Sequence, residues 1–83
     1  MPKCYLYIVR GSDNSLYTGV TINIETRIQQ HNSGKRGAKS LRGKVPVKLV
    51  YSEVYNSKGE ALKREFEIKS WGKEKKESLI MRA

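Results

Sequence analysis

Only one cysteine, Cys4, and one histidine, His31, occur among the 83 residues. With that pair neither an internal disulfide nor a Cys/His zinc cluster can be assembled, so the core has to form without cross-links. Aspartate occurs once, at Asp13 in a turn-like segment, which removes the upstream metal-binding acid that an E-x-K nuclease motif at Glu67-Ile-Lys69 would need. Long apolar runs are missing too. The longest, Cys4 to Val9, falls far short of the roughly 18 residues that span a bilayer, and no apolar leader follows Met1. The chain is too short for a cofactor domain beside a substrate domain, which excludes Rossmann and barrel enzymes. Gly37 to Lys44 imitates a phosphate loop, but five residues separate its glycines where four are required. Val45 also stands where Ser or Thr would hold magnesium.

Negative charge is the remaining scarcity. Eight acids face 17 Lys and Arg, a formal net charge of +9. Such a surplus attracts polyanions, nucleic acid first and an anionic membrane surface second, the plain alternative being a basic, well-solvated surface. The membrane reading is poor because no helix combines a basic face with a broad aromatic one. A reducing, cytoplasmic location is expected.

Changes in hydrophobic period divide the chain into five segments. Cys4–Arg10 and Leu16–Thr21, rich in β-branched and aromatic residues and separated by Gly-Ser-Asp-Asn-Ser, predict a β-hairpin. From Asn23, a suitable N-cap, Ile24 and Ile28 lie four apart and Glu25 falls in the first turn, so a helix is predicted over 23–33, stopped by Gly34. Residues 33–44 carry five basic side chains (Lys35, Arg36, Lys39, Arg42, Lys44), three glycines, no acid and one large apolar residue. This segment cannot pack itself; it is expected to be mobile in the free protein and to contact phosphates in a complex. Val45–Tyr55 reads as a long strand, confined by Pro46 to a strand start or a sheet edge. The S-x-x-E spacing of Ser57 and Glu60 predicts a second helix from about 58 to Ser70. Past Gly72 comes a short charged helix ending in Leu79-Ile80-Met81. The expectation is one α+β domain over 1–83, a three-stranded antiparallel sheet flanked by helices in the order ββαβαα.

Three placements stand out. On a wheel at about 100° per residue, Ala61, Ile68, Leu62 and Phe66 form one apolar arc with Glu65 inside it, whereas Glu60 and Glu67 face the other way. A carboxylate against a core costs several kcal/mol unless it is paired or metal-bound. Its simplest partner is Lys69, four residues on. Arg27 and His31, also four apart, project together from the first helix, a pairing suited to phosphate binding and proton handling or, more plainly, an ordinary exposed face. If the hairpin register sets Arg10 opposite Leu16, then Tyr7 and Tyr17 share a face with a hollow at Gly19 between them. Tyrosine is also simply a good strand former.

Together these residues resemble the GIY-YIG nuclease family, and in particular its small stand-alone bacterial members. Tyr5-Leu-Tyr7 stands where the family has its first triplet and Tyr17-Thr-Gly19 where it has its second. Arg27, His31-Asn32 and Glu65 follow in order, the last within Ala-Leu-Lys-Arg-Glu-Phe-Glu-Ile-Lys. The chain departs from the pattern in part of the first triplet and at Thr18. The resemblance implies an endonuclease hydrolysing phosphodiester bonds, DNA foremost, with one Mg²⁺ or Mn²⁺ held by Glu65. It further implies Arg27 on the scissile phosphate, Tyr17 as general base and Tyr7 positioning the attacking water. A phenol with a reference pKa of about 10 must be lowered by roughly three units to act as a base at neutral pH, about 4 kcal/mol of local electrostatics. His31 is therefore the alternative base or a relay for the Tyr17 proton. Family members generally carry the module joined to a separate binding domain, so targeting here is expected from a protein partner. The competing reading is a nucleic-acid-binding module without turnover.

Overall fold

The computed structural model describes residues 3–34, 39–41 and 43–82. Strand β1 (Cys4–Arg10) and strand β2 (Leu16–Thr21) form the predicted hairpin, and helix α1 (Ile24–Ser33) follows it. A 3₁₀ turn at Lys39–Leu41 leads to strand β3 (Lys48–Tyr55), helix α2 (Lys58–Lys69) and helix α3 (Lys73–Arg82). The caps work as the sequence suggests. Asn23 accepts a hydrogen bond from the Thr26 amide, Ser57 accepts one from Glu60, and Gly34 ends α1 at φ 74°.

The sheet is antiparallel throughout with strand order β2-β1-β3, so β1 is central and β2 and β3 are edges. That position explains the uninterrupted apolar run. Leu6, Ile8 and Val9 are completely buried and Tyr7 almost so, because β1 is covered on both faces. Leu6 and Ile8 pack with Ile68 of α2, supported by Trp71, Leu79 and Ile80. Tyr7 and Val9 pack on the opposite face with Leu41, Val47, Tyr17, Ile24 and Ile28. A register shift in β3 opposite Ile8 and Val9 bends this edge, and Pro46 lies before β3, which begins at Lys48 rather than at Val45.

Two expectations are corrected. Leu41, within the basic segment, is only 3% exposed and belongs to the α1-side core, and the Lys44 backbone bonds both Leu41 and Ser12. One well-placed apolar residue and a few backbone hydrogen bonds are enough to fasten this part of a segment whose composition suggested no packing. Lys35 and Arg36 lie outside the described residues, as does Arg42. In α2, Leu62 and Phe66 do not join the core: they are 42% and 80% exposed, while Ala61 and Ile68 are fully buried.

The helix is rotated by an ion pair. Arg64 donates from Nε and Nη2 to Glu53 of β3 at 3.0–3.3 Å, and from Nη1 to Glu67 at 2.7 Å. The Glu53 carboxylate also accepts from the hydroxyls of Tyr51 and Tyr55, its same-face neighbours. Burial alone would raise the pKa of Glu53, but the hydrogen bonds from Arg64, Tyr51 and Tyr55 outweigh it and hold it below the ordinary carboxylate range. Burial and the same carboxylate push Tyr55 up to about 12. A second pair, Arg10 with Glu77 at 2.6–2.7 Å, ties α3 to the end of β1.

Replacing Leu41 by Ala should lower unfolding free energy by about 2–4 kcal/mol in urea titration. A loss below about 0.5 kcal/mol would mean that the turn does not anchor the core.

Candidate active site

The site forms where α1, on one face of the sheet, and α2, on the other, both reach the β2 edge. It starts from the hairpin register. Arg10 pairs with Leu16, Tyr7 with Gly19 and Val9 with Tyr17, which puts both tyrosines on the α1 face. A Cβ built on Gly19 would lie 2.6 Å from Tyr7 Oη and 2.7 Å from Cζ. The glycine thus provides the space in which the Tyr7 ring lies.

Helix α1 supplies the rest of this pocket. His31, in its last turn, is 2% exposed, and its Nε2 lies 2.9 Å from the Tyr7 hydroxyl. The rings of Tyr7, Tyr17 and His31 form a triangle with centroids 5.5–6.4 Å apart, Tyr17 meeting His31 edge-on. Tyr17 is the partly exposed member. Arg27, one turn earlier on α1, donates to Gln30 at 2.9 Å, and its charge acts on the Tyr7 phenol. Burial raises the Tyr7 pKa, Arg27 pulls it back, and Tyr17 and Glu65 add to the rise, so this phenol keeps its proton at neutral pH. Burial, reinforced by the Arg27 charge, lowers the pKa of His31 and keeps the imidazole neutral.

From the other face, α2 brings Glu65 and Lys69. With Arg64 fixed to Glu53, the opposite flank of the helix faces β2, and the Lys69 ammonium lies 5.8 Å from the Tyr17 ring centre. Lys69 also pairs with Glu65 at 3.3 Å, the carboxylate side chain being 19% exposed. Glu65 therefore sits at the border of the buried stripe rather than deep inside it.

The structure thus brings together Tyr7, Tyr17, Arg27, His31 and Glu65 from four elements, and splits the Arg27–His31 pair: His31 is buried and Arg27 is partly exposed. Among the proposed nucleic-acid contacts, Lys39 is exposed, while Lys44 lies 3.9 Å from Asp13 at the hairpin turn. Two contributors escaped the sequence reading. The spacing of Lys69 points to Glu65 and gives no hint of Tyr17. Asn32 accepts from the Val47 amide at 2.6 Å and donates to the Val47 carbonyl at 3.3 Å, fastening the approach to β3 onto α1; only its place beside His31 had drawn notice.

Glu65 offers one carboxylate, and among the described residues no three His, Cys, Asp or Glu side chains cluster to hold a metal. A closed tetrahedral zinc site does not fit such a donor set. A hard divalent cation does, because it accepts one carboxylate and completes its shell with water and phosphate oxygens. The Lys69 ammonium shows that this position already accommodates a positive charge.

The chain matches the GIY-YIG catalytic domain over residues 3–78. It is 52% identical to a UPF0213 protein of Staphylococcus haemolyticus over 80 residues, covering 96% of each chain. It is 51% identical to a UPF0213 protein of Syntrophus aciditrophicus over 80 residues, covering 96% of this chain and 92% of that one. The solution NMR structure of a UPF0213 protein from Bacillus halodurans superimposes with a TM-score of 0.62 at 42% identity, covering 95% of this chain and 83% of that one.

The sign of the His31 shift fixes a pH dependence. Its pKa is lowered from 6.5 in the folded state, so the unfolded chain takes up the proton first as pH falls. Stability is complete above about pH 6.5 and is lost as pH drops from there through the folded pKa, with a slope of at most about 1.4 kcal/mol per pH unit. Denaturant titrations between neutral pH and about pH 5 should show this slope in the wild type and its loss in His31→Gln; equal slopes would show that the imidazole is not held neutral.

Proposed function

This chain belongs to the GIY-YIG family, and from that membership we propose that residues 1–83 act as one nuclease domain, a metal-dependent endonuclease hydrolysing phosphodiester bonds in nucleic acid, DNA foremost. The observation that carries the reading is the convergence at the β2 edge of Tyr17, Tyr7 and His31 with Arg27 and Glu65. Four elements packed for stability alone would have no reason to gather these groups around one partly exposed phenol.

Arg27 would bind the scissile phosphate and offset charge as the pentacoordinate state forms. Tyr17, the partly exposed ring of the triangle, would take the proton of the attacking water. His31 is poorly placed to do so directly, since it is buried and its Nε2 is engaged by Tyr7; it suits a relay behind the base. Tyr7, kept protonated by burial, would hold this relay and the Tyr17 ring in place. Glu65 would hold Mg²⁺ or Mn²⁺ after exchanging Lys69 for the ion. When bound, the ion supplies Lewis-acid stabilisation of negative charge on phosphate oxygens. Lys69, on a flexible and half-exposed stem, remains to contact the strand.

The basic surface suits delivery of nucleic acid, with Lys35, Arg36, Lys39, Arg42 and Lys44 tracking the backbone and a protein partner supplying targeting. A cytoplasmic site of action accords with the unbridged Cys4. Among the described residues no helix is long and apolar enough to cross a membrane. One observation favours a binding module without turnover: the Glu65–Lys69 pair neutralises the carboxylate without a metal.

A cleavage panel of branched, single-stranded and duplex DNA and RNA, with Mg²⁺ or Mn²⁺, separates the readings. Glu65→Gln, Arg27→Ala and Tyr17→Phe should each reduce cleavage at least about 100-fold. Chelation should abolish cleavage while binding persists. Absence of cleavage on every substrate, or wild-type rates in Glu65→Gln, would overturn the nuclease reading and leave salt-sensitive binding as the activity.

A further inference from the structure

Phe66 follows Glu65 in sequence and is 80% exposed. One turn earlier, Leu62 is 42% exposed, and residues four apart on a helix are neighbours, so the two form a continuous apolar stripe. Two fixed points give its direction. Arg64 is held by Glu53 of β3 on one flank of α2, and Lys69 lies over Tyr17 of β2 on the other. At about 100° per residue, Phe66 then projects outward about 60° beyond Lys69 and about 100° from Glu65, so the stripe reaches the Glu65 flank through Leu62. The stripe is bounded by cations: Lys58 and Lys69 adjoin it on one side and Lys63 on the other, all exposed. The exposed acids Glu60 and Glu67 fall on the opposite flank, Glu67 being bonded to Arg64.

We infer that Phe66, backed by Leu62, is a stacking platform for an unpaired nucleobase at the rim of the site, so that the protein favours single-stranded or frayed nucleic acid over uninterrupted duplex. An aromatic face between lysines offers both things a single strand presents, a base to stack and phosphates to pair. A base inside a duplex has its faces covered by its neighbours and cannot use the platform. The charges favour this occupant over a second copy of the chain, whose own basic stripe would oppose them. The inference rests on the site reading only in that Leu62, at one end of the stripe, neighbours Glu65 on the helix.

Binding measured in chelator separates it from cleavage. In fluorescence anisotropy, Phe66→Ala should bind labelled oligo-dT about 5- to 150-fold more weakly, the value of one base–aromatic stack. Binding to blunt duplex of equal length should stay within about twofold, and Phe66→Tyr should restore the wild-type preference. An abasic strand with the same phosphates should not distinguish Phe66→Ala from wild type. Because Phe66 is exposed, the variant should melt with the wild type. Equal losses on oligo-dT and abasic strands, or none on oligo-dT, would overturn the platform. So would a concentration-dependent dimer in sedimentation that Phe66→Ala abolishes, which would assign the stripe to self-association. Cleavage that persists in Glu65→Gln would overturn the nuclease reading instead and leave these binding outcomes intact.

Discussion

The Tyr7 ring occupies the volume that any side chain at Gly19 would fill, and the candidate site is built around that fit. Because Tyr7 and Gly19 are register partners, the missing Cβ on β2 lets a large ring on β1 lie flat across the sheet. The ring directs its hydroxyl to His31 on α1 and lies tilted against Tyr17. A side chain at position 19 would displace the ring from backbone and neighbours that are fully packed, and the imidazole would lose its hydrogen bond to Tyr7. Burial of the pair explains its electrostatics as well: desolvation keeps phenol and imidazole neutral, and the Arg27 charge acts on both.

On the other face of the sheet, polar contacts decide orientation. Arg64 clasps Glu53 while both are largely shielded from solvent, and two tyrosine hydroxyls complete the carboxylate's hydrogen bonding. An ion pair of this kind adds little net stability compared with an apolar replacement, but removing one member strands the other. Its structural consequence is rotational. The Ala61–Ile68 line of α2 is buried against the sheet, Lys69 and its partner Glu65 turn toward Tyr17, and Leu62 and Phe66 remain outside.

The elements were readable because their signals are local. The hairpin limits match residue for residue, and both helix caps work through side chains three residues from the amides they satisfy. The wheel for α2 was read less well, because four apolar residues on one arc do not say which part of that arc a sheet will cover. Glu53 and Arg64 lie 11 residues apart, and no helical or strand period links them. Leu41 shows the same limit: glycines and lysines around it describe a solvated segment, and its burial depends on a cavity formed by β1 and α1. His31 was legible as a candidate through its spacing from Arg27, but its burial was not.

By itself the sequence determined a ββαβαα chain without cross-links, strongly basic, with two tyrosines able to share a face across a glycine and one glutamate set apart from the other acids. Periodicity, capping and charge act over a few residues, and those are the interactions a linear reading contains. Only the tertiary structure decided that the imidazole is buried against Tyr7, that Lys69 reaches Tyr17, and that Glu65 borders the core rather than entering it. Each of these depends on how α1 and α2 rotate and pack against opposite faces of one sheet, and that is fixed by contacts between residues distant in sequence.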